Sequence, residues 1–249
     1  MKENKFYQEY AYYYDFICSD RKKDVEVLKK LIKKHKKSKG DKLLDVACGP
    51  GLEDKYLKED FRVTGIDLHP GILNFARNRN PDINYLIGDM RNFKLNEKFD
   101  VITCFDAMCH LRNHKDVSMT LKNFYNHLAK GGVLIFYIDD HILKKHFKED
   151  KIVVTQKTKG TLKVILIEIY HKNQNRIESN VIYWIKEKGK TRIEVLPTDY
   201  LGFFEVSKIK KMLNKLGFKA YLYSTDKETT FSTRSYTKKS LSPIFICEK

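Results

Sequence analysis

Residues 43–51, LLDVACGPG, constrain this chain more than any other stretch. Leu43, Leu44 and Val46 form the apolar run of a strand buried on both faces of a parallel sheet. Ala47, Cys48, Gly49, Pro50 and Gly51 follow, small residues that let the backbone turn sharply and lie close to a ligand. Leu52 to Tyr56 reads as the opening of a helix, so backbone N–H groups with positive dipole character face whatever fills the turn. Asp45 breaks the apolar run, and a carboxylate buried there needs hydrogen-bond donors, expected in the turn that follows. By itself the stretch fits an ordinary strand-to-helix turn as well as a ligand site.

The residues downstream narrow the choice. Phe61–Ile66 is a second apolar run, ending at Asp67, about twenty residues after the glycines, where a carboxylate can grip ribose hydroxyls. Ile83–Ile87 ends in Gly88, Asp89 and Met90; Phe99–Phe105 ends in Asp106; Val133–Ile138 ends in Asp139, Asp140 and His141. A sheet does not need acidic residues at successive strand ends for its own stability, and in open α/β sheets those ends form the ligand crevice. Between the runs lie amphipathic segments: Arg21–Lys39 with Val25, Leu28, Leu31 and Ile32 on one stripe, Ile72–Arg79 behind Pro70, and a helix striped by Val117, Leu121, Phe124 and Leu128. Gly131 and Gly132 read as that helix's stop and the start of the fifth strand. His127 is read as packing or surface. A dinucleotide fingerprint requires GxGxxG, and after Gly49 and Gly51 the third position falls on Asp54, which does not fit.

With these residues in view, the chain resembles the class I S-adenosylmethionine-dependent methyltransferases. LLDVACGPG is similar to their first motif, VTGIDLHPGIL to their second, IGDMRNF to their third and FDVITCFDAM to their fourth, while LAKGGVLIFYI is similar to their fifth strand and the turn before it. The likeness is strong over residues 6–140 and looser over 195–249. Ala47 departs from the commonest first motif, which has glycine there. DVACG, with YYYDFI near the N-terminus and GDM, looks most like small-molecule N-methyltransferases of the sugar-amine and, less closely, the glycine type. The resemblance implies a Rossmann-like, doubly wound, mostly parallel seven-stranded sheet with helices on both faces. It implies S-adenosyl-L-methionine as cofactor and S-adenosyl-L-homocysteine as product. It places Asp67 on the ribose, Asp89 and the Met90 N–H on the adenine, and Leu68 against an adenine face. Asp45, Ala47, Cys48, Gly49 and Gly51 face the amino-acid end, and Tyr14 and Phe105 complete the cofactor-binding set. Because methyl transfer is an in-line displacement, alignment supplies most of the acceleration. An amine acceptor must be neutral to attack, so Tyr14, Asp106, His110 and Asp139 are the candidates to orient it and remove a proton.

FYQEYAYYYDFIC, residues 6–18, is expected to be an N-terminal lid helix, with Phe6, Tyr10, Tyr13 and Ile17 on its packing side and Tyr14 over the cofactor. Residues 151–196 change character: strand-like runs separated by Lys-Gly, Asn-Gln-Asn and Lys-Gly-Lys turns read as an antiparallel insertion after the fifth strand. Val164–Ile169 keeps apolar residues on both faces, so one face is a candidate homodimer contact. Phe204–Leu216 returns to a helix stopped by Gly217, and Phe218–Ser224 with Ser242–Glu248 suit a closing strand pair. The expectation is one methyltransferase domain over residues 1–249.

The chain has 48 Lys+Arg against 32 Asp+Glu, a net charge of +16, which raises nucleic acid as a partner. The densest basic run, Arg21–Lys39, carries its lysines on the solvent side of a helix, and lysine rather than arginine dominates, which favours a general surface bias. The five cysteines have no CxxC spacing, so neither zinc nor a disulfide framework is expected. No run is long enough to span a bilayer and no signal segment opens the chain, so no membrane partner and a cytoplasmic location are expected. Two alternatives stay beside the small-amine reading: an RNA or protein methyltransferase using the basic surface, and a noncatalytic cofactor-binding subunit.

Overall fold

The apolar runs fold into strands in the order the sequence sets out. The computed structural model describes residues 5–18, 20–138, 150–173, 176–202, 204–223 and 244–249. In chain order the first strands are β1 (Lys42–Val46), β2 (Arg62–Asp67), β3 (Asn84–Ile87), β4 (Phe99–Cys104) and β5 (Leu128–Tyr137). The antiparallel run follows as β6 (Lys151–Lys159), β7 (Leu162–Asn173), β8 (Arg176–Glu187), β9 (Lys190–Val195) and β10 (Asp199–Gly202). The closing pair is β11 (Lys219–Tyr223) and β12 (Ile244–Glu248). The helices are α1 (Lys5–Gln8), α2 (Ala11–Ile17), α3 (Lys22–His35), α4 (Asp54–Leu57), α5 (Pro70–Arg79), α6 (His114–His127) and α7 (Val206–Leu216).

The main sheet has seven strands in the order β11-β12-β5-β4-β1-β2-β3, with only β12 running antiparallel to its neighbours. Alternation along each strand sends side chains to two cores. Leu44, Val46, Ile102, Cys104, Leu134, Phe136, Phe245 and Cys247 face α6 and α7. Leu43, Val101, Val133, Ile135, Ile244 and Ile246 face α3, α4 and α5. Helices therefore cover both faces, as the doubly wound reading requires. The chain leaves β1 for β2 and β3 on one side and reaches β4 and β5 on the other, so the switch point lies between β1 and β4. A ligand crevice belongs outside the carboxyl ends of those strands.

Three local expectations are corrected. The helix after the glycine turn is a single turn beginning at Asp54, and Gly49 and Gly51 before it hold left-handed backbone that no helix includes. β5 begins at Leu128, immediately after α6, and Gly131 and Gly132 lie inside it rather than before it. There Gly131 has φ +73°, its N–H donates to the Lys249 carbonyl, and its own carbonyl accepts from Lys37 and Ser38. The glycines thus mark a strand irregularity, not a helix stop. The N-terminal segment is two helices with a break at Glu9 and Tyr10, and no side chain caps α2.

The insertion is an antiparallel sheet in the order β10-β8-β7-β6, with β9 also paired to β8. Its inner face buries Leu162, Val164, Leu166, Tyr183, Ile185 and Leu196 against Tyr13 and Ile17 of α2. A second contact joins it to the loop after β4, where Cys109 packs with Val153, Tyr170, Ile177 and Leu201. Among the described residues no helix is long and apolar enough to cross a membrane.

α7 holds the far end of the sheet by Ile209 and Leu213, both fully buried, and Gly217 ends it in the left-handed conformation at φ +95°. Ile209→Ala is expected to cost about 2–5 kcal/mol, read as a lower urea midpoint with an unchanged slope.

Candidate functional site

The carboxyl ends of β1, β2, β3 and β4 open on a cleft. Ten of the predicted residues line it: Tyr14, Ala47, Gly49, Asp67, Leu68, Asp89, Met90, Phe105, Asp106 and His110. Asp45 and Cys48 line a smaller lobe that adjoins it and shares Tyr14, Ala47, Gly49, Phe105 and Asp106 with the main cleft. Gly51 does not face the ligand space. A Cβ there would lie 2.5 Å from the Tyr85 hydroxyl oxygen and 2.9 Å from Asn80 Nδ2, so its lack of a side chain serves packing behind the turn. Asp139 lies outside the described residues.

The turn after β1 is built for close approach. Ala47 has φ +59° and Gly49 φ +53°, and a Cβ on Gly49 would meet no atom within 4 Å. The open side of Gly49 is therefore a cradle that only a ligand fills. Ala47 holds a conformation disfavoured by about 1–2 kcal/mol for a residue with a Cβ, which is the physical meaning of its departure from glycine.

Asp67 ties this turn to β2. The Gly49 N–H donates to its Oδ2 at 3.0 Å and the His69 N–H to its Oδ1 at 2.9 Å. Burial pushes the Asp67 carboxyl up, and these two N–H groups oppose that shift. Each oxygen retains a lone pair, as a pair of vicinal hydroxyls requires. Asp89 is gripped by its neighbour Arg91, whose Nε and Nη2 reach the carboxylate at 3.0 and 2.5 Å. Burial alone would raise the Asp89 carboxyl; the Arg91 contacts outweigh it and hold it below the usual range. The Met90 carbonyl accepts from Asn123 Nδ2, which leaves the Met90 backbone fixed at the cleft wall.

Asp45 finds its donor elsewhere than expected. Thr103 Oγ1, directly across the sheet on β4, donates to it at 2.7 Å. The register places Thr103 opposite Asp45, and a strand neighbour reaches the carboxylate before the turn does. Burial, then the nearby Asp54, push the Asp45 carboxyl well up. Asp54 is fully buried, accepts from the Tyr85 hydroxyl at 2.9 Å, and is pushed up to about 7, first by burial. Asn80 Nδ2 completes this support by donating to the Gly51 carbonyl at 2.9 Å.

Arg21 is not singled out by the sequence because it sits in a lysine-rich run. Its guanidinium is buried in the smaller lobe, 3.2 Å from Asp24, 3.3 Å from Glu53 and 3.3 Å from Asp106. Asp106, at φ +51°, is thus an ion-pair partner more than a free base. Tyr14 rises over the same space, its phenol pushed well up by burial, so it is a neutral hydroxyl at physiological pH. Arg79 links α2 and the turn, donating to Asp15 at 2.7 Å and to the Pro50 carbonyl. Tyr7 packs on the ring of His69 with centroids 5.4 Å apart and edge-on to Tyr14 at 5.4 Å. His110 stands on a short helical turn, Met108–His110, and shares the outer cleft with Arg112 and Asp199 of β10. Asp199 carries no motif, and the placement of β10, which pairs with β8, brings it here. His127 is a packing residue, accepting the Leu95 N–H at 3.2 Å. The five cysteines are all buried as free thiols, and no cluster among the described residues could hold a metal.

The buried carboxyl of Asp54 has a pH consequence. Its folded pKa of about 7 lies above the unfolded value of 3.8, so its contribution is fully present below 3.8 and is lost as pH rises through 7. Stability is expected to fall across that window, and Asp54→Asn is expected to flatten the fall, read by denaturant midpoints from pH 4 to 8.

A family profile described as "Methyltransferase domain" matches residues 43–132, the segment that supplies the glycine turn, Asp67, Asp89 and His110. The dTDP-3-amino-3,6-dideoxy-alpha-D-glucopyranose N,N-dimethyltransferase of Streptomyces fradiae is 35% identical over 133 residues, 51% of this chain and 52% of the relative. The dTDP-4-amino-2,3,4,6-tetradeoxy-D-glucose N,N-dimethyltransferase of Saccharopolyspora spinosa is 41% identical over 96 residues, 37% of this chain and 38% of the relative. The chain therefore spans about half the length, or less, of these relatives. Streptomyces venezuelae DesVI superposes with a TM-score of 0.79 at 21% identity, covering 96% of this chain and 95% of that one. CalS10, an amino pentose methyltransferase from Micromonospora echinaspora solved with S-adenosylmethionine bound, superposes at 0.77 with 20% identity, covering 100% and 99%. At that identity the two structures speak for the fold. The matched segment and the strand order agree that residues 43–132 carry a match to a methyltransferase domain, set in a Rossmann-like α/β fold shared with these structures.

Proposed function

We propose that the protein is an S-adenosylmethionine-dependent N-methyltransferase that acts on the amine of a small molecule, an amino sugar, with S-adenosyl-L-homocysteine as the other product. The observation that carries the reading is the two-part cleft: a donor floor built from the glycine turn and Asp67, and an outer wall of aromatic and titratable side chains above it. In this reading Asp67 takes the ribose hydroxyls, Asp89 and Met90 the adenine, and Leu68 and Phe105 its apolar surroundings. Ala47, Cys48 and Gly49, backed by Asp45 and Arg21, take the amino-acid end. The sulfonium supplies a methyl group already activated for displacement.

The chain's own part is alignment and proton removal. Tyr14, being neutral, orients an amine by accepting its N–H. Asp106 sets the position of Arg21, and His110 is the remaining titratable group of the predicted set in the outer cleft. The relatives' names specify dTDP-linked amino sugars, and Arg112 is exposed at this wall, where it suits the diphosphate of such an acceptor. We further read the N-terminal helices and the second sheet as parts of the same catalytic unit.

A homodimer through the second sheet is part of the proposal. Its register lines up Ile152 and Val154 of β6, Ile165, Ile167 and Ile169 of β7, Ile182 and Trp184 of β8, and Ile193 and Val195 of β9 on the face away from α2. Ile152, Val154, Ile193 and Val195 are 62%, 54%, 63% and 70% exposed. An apolar face spread over four strands is larger than a monomer ordinarily leaves to water.

Calorimetry is expected to give cofactor binding by the wild type and an affinity lower by about 10- to 100-fold in Asp67→Asn, since an acceptor of two charged hydrogen bonds is lost. Absence of wild-type binding removes the reading. Release of S-adenosylhomocysteine with amino-sugar acceptors tests the second half. Sedimentation is expected to show a dimer that Ile167→Lys converts to monomer.

A further inference from the structure

The second sheet does more than offer a surface, because its last strand reaches the cleft. β10 is docked onto the turn that carries His110 by two contacts. Leu201 packs in one cluster with Cys109. Gly202 lies so close to the Leu111 backbone that a Cβ would stand 2.0 Å from the Leu111 carbonyl oxygen and 2.6 Å from the Phe204 ring. A glycine at 202 is therefore what lets the strand approach. Three residues earlier in β10, Asp199 then stands beside His110, with Oδ2 3.7 Å from Nδ1. Its other oxygen accepts the Tyr200 N–H at 2.8 Å, which fixes the carboxylate's direction. On the opposite side of the imidazole, the Tyr7 hydroxyl is 3.4 Å from Nε2.

From this geometry we propose that Asp199 is a positioning residue for His110, holding the imidazole with its proton on Nδ1 so that Nε2 is the proton acceptor for the substrate amine. The assignment follows from donor and acceptor counting. An ionised carboxylate only accepts, so the nitrogen facing it carries the hydrogen, and a neutral imidazole then presents its lone pair at the other nitrogen. Tyr7 donates its hydroxyl hydrogen to that lone pair, and the incoming amine takes the place of the hydroxyl. The Asp199 to Nδ1 contact is longer than a hydrogen bond and closes when the cleft fills, as catalytic hydrogen bonds do on forming the working complex. In the transfer the amine nitrogen gives its lone pair to the methyl carbon, the carbon–sulfur bond breaks with its pair going to sulfur, and the surplus proton on nitrogen passes to Nε2 and from there to water.

The charged and titratable groups that share the cleft with His110 are few enough to name. Asp67 and His69 follow β2, Asp89 and Arg91 follow β3, Asp106 and Arg112 lie on its own connection, and Tyr7 and Tyr14 come from the N-terminal helices. Asp89 is held by Arg91, and Asp106 by Arg21. Asp67 is turned toward Gly49 and His69. Asp199 is the carboxylate aimed at Nδ1.

This inference rests on the proposed methyl transfer for its consequence but not for its test. Side-chain ¹⁵N NMR of the full chain, with the His110 signals identified by their loss in His110→Gln, is expected to show the Nδ1–H form in the wild type. Asp199→Ala is expected to move it to the Nε2–H form that free imidazole side chains favour, and Asp199→Asn, which can still accept from Nδ1, to retain the wild-type form. Matching kinetics are expected: kcat lower by about tenfold to a hundredfold in Asp199→Ala with cofactor affinity unchanged, and largely restored in Asp199→Asn. A wild-type Nε2–H form, or an Asp199→Ala protein with the wild-type form, overturns the proposal. If the tautomers behave as stated while no acceptor is methylated, the pairing stands and the proposed function fails.

Discussion

The whole site hangs on one carboxylate. Asp67 ends β2 and takes the Gly49 N–H from the turn after β1 and the His69 N–H from the turn before α5. Two connections that would otherwise meet only at the sheet are thereby fixed to each other above it. The cost is a buried charge, and it is opposed first by two backbone N–H groups. A lysine or arginine in that position would stabilise the carboxylate equally well but would occupy the lone pairs a ligand needs. Backbone donors leave them available, so Asp67 is a structural tie that can also serve the binding role proposed for it.

The residues around Asp67 show a second constraint, which is that carboxylates crowd the cleft of a strongly basic protein. Asp106 and Glu53 lie against Arg21, Asp89 against Arg91, and Asp45 and Asp54 lie together in a buried pair whose carboxyls burial pushes up. The lysine excess stays outside, on faces such as that of α3, whose buried stripe is Val25, Leu28, Leu31 and Ile32. Carboxylates outnumber guanidiniums at the site although the chain as a whole is basic, so the net charge of the chain says little about what binds there.

Much of this is legible in the sequence, and the limits have physical causes. Strand ends announce themselves because an apolar run needs burial and an acidic residue needs water or a polar partner, so the boundary between them marks where a strand leaves the core. Asp67, Asp89 and Asp106 all line one cleft. Asp45 visibly needs a donor, but its partner Thr103 is set by sheet register, which local pattern does not encode. Gly131 and Gly132 read as a helix stop because glycine ends helices and also bends strands, and only the pairing with Lys249 distinguishes the two. Arg21 is hidden by its lysine neighbours, and Asp199 by distance: it enters the cleft from a second sheet through the close approach at Gly202. The donor floor of the proposed reading lies mostly between residues 45 and 105, while the outer wall is assembled from the N-terminal helices, the connection after β4 and β10.

That division has a chemical reason. A cofactor is the same in every member of such a family, so its contacts can stay in one βαβ-rich stretch, whereas an acceptor is matched by elements added around that stretch. The amine acceptor proposed above would impose a further condition, because a free carboxylate beside it would hold it as an ammonium ion and take away the lone pair it needs. In this cleft the carboxylates nearest the donor floor are each tied to a guanidinium, a backbone N–H or a second carboxyl group. Asp199 meets the same condition in another way, since one of its oxygens faces the imidazole of His110 and the other accepts the Tyr200 N–H. An imidazole takes a proton near neutral pH and releases it to water, while a carboxylate would keep the amine paired and inert. The antiparallel sheet thus supplies the acceptor side with negative charge at one remove.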